Sequence, residues 1–440
     1  MAAAGSLVLL AAAVGIQAAV TGPDFDQGVA AKPALAAAKA AARLEGALSG
    51  VEQAPPPPEE GVVWISVGKD DLTHPSGVDI PLGAPVMSSA RASVYRVTED
   101  RLPAIAEQMH DKFHKCGGFF AHGTREEAAK DLQAPPPAAA VAFTVDQGAV
   151  VRPIVAKAQE AEIRSTIETL AAYNNRYYTA DTGVQAAQWI GARWSQLAKN
   201  MPGASLRMVT HSGWKQPSVV LTVPGSEKPE EIVVLGGHLD SISGWGGGGG
   251  ARAPGADDNA SGIATLTEAV RLLGEAGFRP KRTLQFMGYA AEEVGLRGSA
   301  DIAKQYKAAG TKVVAVIQFD MTNYPGSGEP IFLLTDNVDP SLTAHLKKLV
   351  EAYTGVPAAE TRCGYGCSDH ASWTRSGYPA SAAFESAFDT MNHQIHTDRD
   401  TLGNAGGDAR HSVAFAKLAT AFAIETAKPA GAAGLAPASR

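Results

Sequence analysis

The sequence predicts an α/β domain with a mostly parallel central β-sheet covered by helices on both faces, preceded by a small α+β segment. Three observations predict it. Apolar runs of strand length recur at 206–210, 218–223, 232–239, 283–289, 313–319 and 330–335. Helical patterns fall between several of them, at 264–273 and 296–309, which is the alternation of a parallel sheet with crossover helices. Acidic and imidazole residues follow directly on three of the runs, where sheets of this kind build their sites.

The elements follow in chain order. Residues 7–19, LVLLAAAVGIQAA, have the length of a signal-peptide core and end in small residues, although no Lys or Arg precedes Lys32. Residues 1–20 are therefore expected to be a signal peptide, and the protein to be secreted, extracellular or periplasmic. Residues 21–60 are rich in Ala and Pro and hold too little apolar surface to offset ordering entropy. Residues 61–133 combine a strand pattern at 62–67 with a mostly helical one at 99–115 and form a module of their own. A second Pro/Ala block, 134–140, opens a linker that runs to 150. The main domain is placed at 151–427. It opens on helical spacing at 161–173 (Ile163, Ile167, Leu170) and 185–197, and Gly310 stands where a helix C-cap belongs. Residues 428–440 are again Pro-, Ala- and Gly-rich, the composition of a disordered tail.

Bulk properties exclude some functions. A net charge of −7 over 440 residues, with no basic block, gives no footprint for nucleic-acid binding. No apolar run reaches the ~20 residues of a membrane span. Of three cysteines, Cys363 and Cys367 are close and Cys116 is distant, a count that suits one bridge and one unpaired thiol.

The strand ends carry the chemistry. The run from Ile232 leads to His238 and Asp240, the run from Leu284 to Glu292 and Glu293, and the run from Val313 to Asp320. A glycine-rich loop brings Asp257 and Asp258 to the start of the next helix, and His396 follows later. Taken singly, each has a bland reading: a structural His, an N-cap Asp, a solvated Glu pair. Together they are costly, because buried carboxylates without a cation are strongly unfavourable. His with Asp and Glu and no thiolate suits zinc, with cobalt or manganese as substitutes. One carboxylate bridging two metals leaves a His and a carboxylate for each ion and one carboxylate over as a base.

At these residues the sequence resembles the bacterial leucyl aminopeptidase family of secreted dizinc exopeptidases. The resemblance rests on GGHLDS (236–241), APGADDNASG (253–262), YAAEEVGLRGS (289–299), FDMTNY (319–324), CGYGCSDHASW (363–373) and IHTDRDTL (395–402), in family order. It implies the zinc exopeptidase fold, two zinc ions, and removal of Leu-like residues from peptides with a free N-terminus. By that resemblance Asp258 bridges the zincs, His238 and Asp320 complete one site, and Glu293 and His396 complete the other. Glu292 is implied as general base, and Asp240 as the partner that orients His238. A Cys363–Cys367 disulfide is implied to shape the pocket, with Tyr365 reaching the scissile carbonyl. A cis peptide after Asp258 is implied as well. Met321, Phe384, Phe388, Met391 and Ile395 are candidate pocket walls; Met391 stands where the family has an aromatic, and the glycine run 246–250 is a second departure.

The resemblance extends to a propeptide role for 61–133, an intramolecular partner that assists folding or blocks the cleft until it is cut away. His110, His114, Cys116 and His122 could cap a zinc; surface histidines with a free thiol are the simpler reading. Two rival activities stand beside the main one. A single-zinc glutaminyl cyclase would use only Asp258, Glu293 and His396. A carboxypeptidase or dipeptidase would need a cationic anchor, for which Arg297, Arg362 and Arg375 are candidates.

Overall fold

The computed structural model describes residues 61–68, 82–90, 92–113, 118–133, 142–244 and 248–430. The expected signal peptide, the 21–60 segment, the Pro/Ala block 134–140, the first two residues of the glycine run and the end of the tail lie outside the described residues. So do Cys116 and the side chains of His110 and His114.

The main sheet has eight strands: β5 (Ser205–Val209), β6 (Ser218–Val223), β7 (Lys228–His238), β8 (Arg282–Tyr289), β9 (Lys312–Phe319), β10 (Ile331–Leu334), β11 (Ala358–Thr361) and β12 (Ala380–Phe384). Their order is β11-β10-β12-β9-β7-β8-β6-β5. The central four, β12, β9, β7 and β8, are parallel, while β6 and β5 extend the sheet antiparallel. Period-two alternation explains why these strands read as continuous apolar runs: each feeds two cores. Val233, Leu235, Leu284, Phe286, Ala315 and Ile317 enter one core, while Val234, Met287 and Val316 enter the other.

Helix α6 (Gly262–Glu275) and helix α10 (Arg410–Ala427) fill the first face, joined there by α3 (Gly148–Val155), α4 (Glu160–Ala171), α5 (Asp181–Leu197) and α8 (Pro340–Tyr353). Helix α7 (Arg297–Ala308) and the short α9 (His370–Arg375) cover the second, where Ile302 and Ala303 pack with Trp373. Gly310, at φ +64°, ends α7 as expected. Asp339 caps α8 by accepting from the Leu342 N–H.

Two boundaries move. Residues 142–150, expected in the linker, are held: the Asp146 and Gln147 N–H groups donate to the buried Glu425, and α3 begins at Gly148. The tail does not begin at 428. Lys428 Nζ reaches Asp146 and Glu425, and the chain is anchored to Ala430, whose N–H donates to the Arg279 carbonyl.

The forward module is a four-stranded antiparallel sheet, ordered β2-β3-β1-β4, of β1 (Val62–Gly68), β2 (Met87–Ser88), β3 (Ala92–Thr98) and β4 (Phe120–His122). Helices α1 (Leu102–Phe113) and α2 (Arg125–Asp131) accompany it. Its core is not closed: Val63, Ile65, Leu102, Ile105 and Met109 share one cluster with Tyr177, Tyr178, Ile242, Ala291 and Val294.

Candidate metal centre

The ends of β7, β8 and β9 converge, bringing together side chains up to 158 residues apart in sequence (238 to 396). His238 is the last residue of β7, and Asp320 directly follows β9. Glu292 and Glu293 follow β8 in a turn whose Ala291 sits at φ +56°. Asp258 lies in the bend before α6, beside a cis peptide to Asn259. Neither Asp257 nor Asp258 is a helix cap; Asp257 instead accepts from the Asn323 N–H and from Asn392.

Asp258 divides the site in two. Its Oδ1 is 3.0 Å from His238 Nε2, which is also 3.2 Å from Asp320 Oδ1. Its Oδ2 is 3.2 Å from His396 Nε2, which is also 2.8 Å from Glu293 Oε2. Two donors on one tetrahedral zinc, each at 2.0–2.1 Å, are about 3.3 Å apart, so both groupings are close to the spacing of shared ligands. Ligand atoms of His238, Asp258 and Glu293 all fall within 4.8 Å of one another. Glu293 Oε1 and Glu292 Oε1 are buried with no hydrogen-bond partner among the described residues. A cation would satisfy such oxygens. The residues fit a metal.

Electrostatics point the same way. Burial pushes the Glu293 carboxyl up to about 7, with the neighbouring Asp258 charge adding to it and His396 opposing. Glu292 is raised well above the carboxylate range by burial, against the His238 charge, with Asp320, Asp369 and Glu293 adding to the rise. Asp258 is held below that range: burial pushes it up, but bonds to His238 and His396 prevail. A divalent cation would invert this pattern and hold the carboxylates ionised.

The surrounding residues hold the converging side chains by their backbone. Asp240 was expected to orient His238, yet its Oδ1 is 3.6 Å from Nδ1 and the closer acceptor, at 3.2 Å, is the Asp240 carbonyl. The Asp240 carboxylate also accepts from the N–H groups of Glu292 (3.0 Å) and Glu293 (3.2 Å). Asp400 does the same for Asp257 (3.1 Å) and Asp258 (3.0 Å). Arg176, fully buried, donates to the carbonyls of Leu239, Pro254 and Gly255 and ties the His238 strand end to the Asp258 loop. Glu385, directly after β12, accepts from the Tyr324 and Asn392 N–H groups. Sequence reasoning did not single out Asp400, Arg176 or Glu385. Glu385 was open to the strand-end logic; Asp400 lies inside the 395–402 block.

An apolar pocket adjoins the centre, lined by Asp320, Met321, Leu334, Cys367, Ala382, Phe384 and Phe388 among others. Three of the five expected wall residues line it. Met391 and Ile395 belong to the same apolar cluster but do not line the pocket. The Cys363–Cys367 disulfide is present, with the buried Tyr365 between its cysteines and its ring 6.2 Å from that of Phe388.

Two expectations are corrected. His122 does not reach the metal centre: its Nε2 is 3.0 Å from Ser66 Oγ and 3.5 Å from Asp131. The arginines proposed as carboxylate anchors are engaged elsewhere, Arg297 on Glu99, Arg375 on Asp131, and the largely exposed Arg362 3.9 Å from Asp336.

Residues 218–421 match the model of peptidase family M28. Two curated relatives are fungal. A "Probable leucine aminopeptidase" of Trichophyton verrucosum is 39% identical over 326 residues, covering 73% of this chain and 88% of its own. "Leucine aminopeptidase 1" of Arthroderma otae is 37% identical over 342 residues, covering 74% and 89%. The crystal structure of the Legionella pneumophila LapA aminopeptidase aligns with a TM-score of 0.74 at 29% identity, covering 83% of this chain and 98% of that one. Residues 142–430 number 289 of 440 (430 − 142 + 1), about 66%, so this alignment extends into the forward module.

Proposed function

This chain belongs to peptidase family M28 and is a metallo-aminopeptidase, and from that premise we propose that it works with two zinc ions and removes Leu-like residues from free peptide N-termini. One observation carries the two-metal reading: the two oxygens of Asp258 face different His–carboxylate pairs, His238 with Asp320 and His396 with Glu293. Zinc bound there would acidify a water and polarise the scissile carbonyl.

The chain's own residues supply the rest. Glu292, buried with its Oε2 4.0 Å from His238 Nε2, takes the proton of the attacking water and passes it to the leaving amine. Tyr365, between the bridged cysteines and in one apolar cluster with Met321 and Phe384, donates its hydroxyl to the developing oxyanion. The carboxylates favour a charged α-amine, which confines cleavage to the first residue. Met321, Leu334, Phe384 and Phe388 receive an apolar side chain. Export belongs to the same proposal: the apolar run 7–19 directs it, and the disulfide suits an oxidising compartment.

The test is a panel of aminoacyl anilides beside their N-acetylated forms, on zinc-reconstituted protein. Leucyl anilide should be cleaved and N-acetyl-leucyl anilide should not. Equal cleavage of both would refute exopeptidase action at a free amine.

A further inference from the structure

We infer that the module at 61–133 is a retained working part of the enzyme, which positions the loop carrying Glu292 and Glu293, and not a segment whose removal switches the enzyme on. Its contacts fall on the segments that bear the chemistry. Ala291 and Val294 bracket the two glutamates, and both are buried in the cluster that the module supplies through Ile65, Leu102, Ile105 and Met109. The β4 strand extends this hold through its backbone, the Ala121 N–H donating to the Gly295 carbonyl at 3.1 Å. Gly295 sits at φ +103°, and a Cβ there would lie 2.8 Å from Ala121 Cβ and from Phe119, so the loop is shaped to this neighbour.

Two further segments are gripped. Phe120 lies against Gly366 inside the disulfide loop, where a Cβ would come within 2.4 Å of its ring, and it packs with Leu296 and Ala371. The Glu107 carboxylate of α1 occupies the space beside Gly244, whose N–H donates to the carbonyl of His396. Charged groups fix the edges: Glu99 meets Arg297 at 2.7 Å, beside Trp214, and Asp131 meets Arg375 at 2.5 Å. Stripping the module would expose Tyr177, Tyr178, Ile242, Ala291 and Val294 together, and would free the backbone on either side of the catalytic pair. Catalysis is sensitive to such freedom, since displacement by about 1 Å of a catalytic group costs up to about a hundredfold in rate.

The inference rests on the aminopeptidase reading for its assay. A specific protease site placed within 134–140 allows the purified zinc-loaded full chain to be cut after folding. The two fragments should then co-elute at the size of the intact protein with turnover of leucyl anilide retained, and release accompanied by lost turnover would also support positioning. Release with turnover kept or raised would overturn it. In parallel, Phe120→Ala with Glu99→Lys, both on the module, should lower kcat about tenfold or more while zinc content and KM change little. Unchanged kcat in that double variant would equally overturn it. A zinc-loaded chain inactive both before and after the cut would instead count against the aminopeptidase reading.

Discussion

Asp400 holds Asp258 by its backbone, accepting the Asp258 N–H at 3.0 Å with one carboxylate oxygen and the Asp257 N–H at 3.1 Å with the other. It lies four residues after His396, so one short loop both carries His396 and fixes Asp258, which faces both His–carboxylate pairs. Asp240 grips Glu292 and Glu293 in the same way. Each of the two paired acidic motifs thus has a buried carboxylate dedicated to its peptide groups.

Asp400→Ala strands two buried N–H groups, each costing about 1–3 kcal/mol. The variant should lose zinc affinity by about tenfold or more, through the bridge, beyond any fall in Tm. Competition with a chromogenic chelator at a temperature where the variant is folded measures this. Wild-type affinity would show that Asp400 serves stability alone.

Glu292 is assigned a proton-transfer role and no ligand role. Glu292→Ala should therefore keep its zinc and lose at least about a hundredfold in kcat. Metal analysis beside steady-state kinetics decides it, and near-normal turnover with zinc bound would sink the assignment.

Stability of the metal-free protein should fall as pH rises from about 5 to 8. Burial raises Glu293 and Asp369 to about 7 and Asp400 to about 8, and lifts Glu292 and Glu385 well above the usual carboxylate range. Through that window the folded state holds protons that the unfolded state has released, so the slope of unfolding free energy with pH is negative. His238, also raised, adds in the same direction above its usual value. Zinc bound there would supply the positive charge in place of protons, and the loaded protein should not show the fall. Melting curves with and without chelator across this range test the sign; a metal-free Tm that climbs toward pH 8 contradicts it.

Ala382 lines the apolar pocket together with Leu334 and Phe384. Ala382→Phe should shift preference from leucyl toward alanyl anilide, with kcat/KM for leucyl falling about tenfold or more. An unchanged ratio would place the first side chain elsewhere.

Much of this was legible in the sequence, for physical reasons. The strands β7, β8 and β9 are buried on both faces and rich in Val, Ile, Leu and Phe, so their apolar runs stand out, and His238, Glu292, Glu293 and Asp320 sit at or just beyond their ends. The β12 strand, Ala-Ser-Ala-Ala-Phe, has no β-branched residue and gives no such signal. Arg176 and Asp400 escaped notice because they act on backbone carbonyls and amides brought close only by folding, 79 and 142 residues away for Gly255 and Asp258 respectively. The module's open core was equally hidden: its apolar residues look self-sufficient until Ala291 and Val294 are seen among them.

The two-metal reading turns on Asp258. Anomalous diffraction at the zinc edge from crystals of the loaded protein measures it directly. Two peaks should flank the Asp258 carboxylate, one with His238 and Asp320, the other with His396 and Glu293. A single peak, or a pair of which neither touches Asp258, would contradict it.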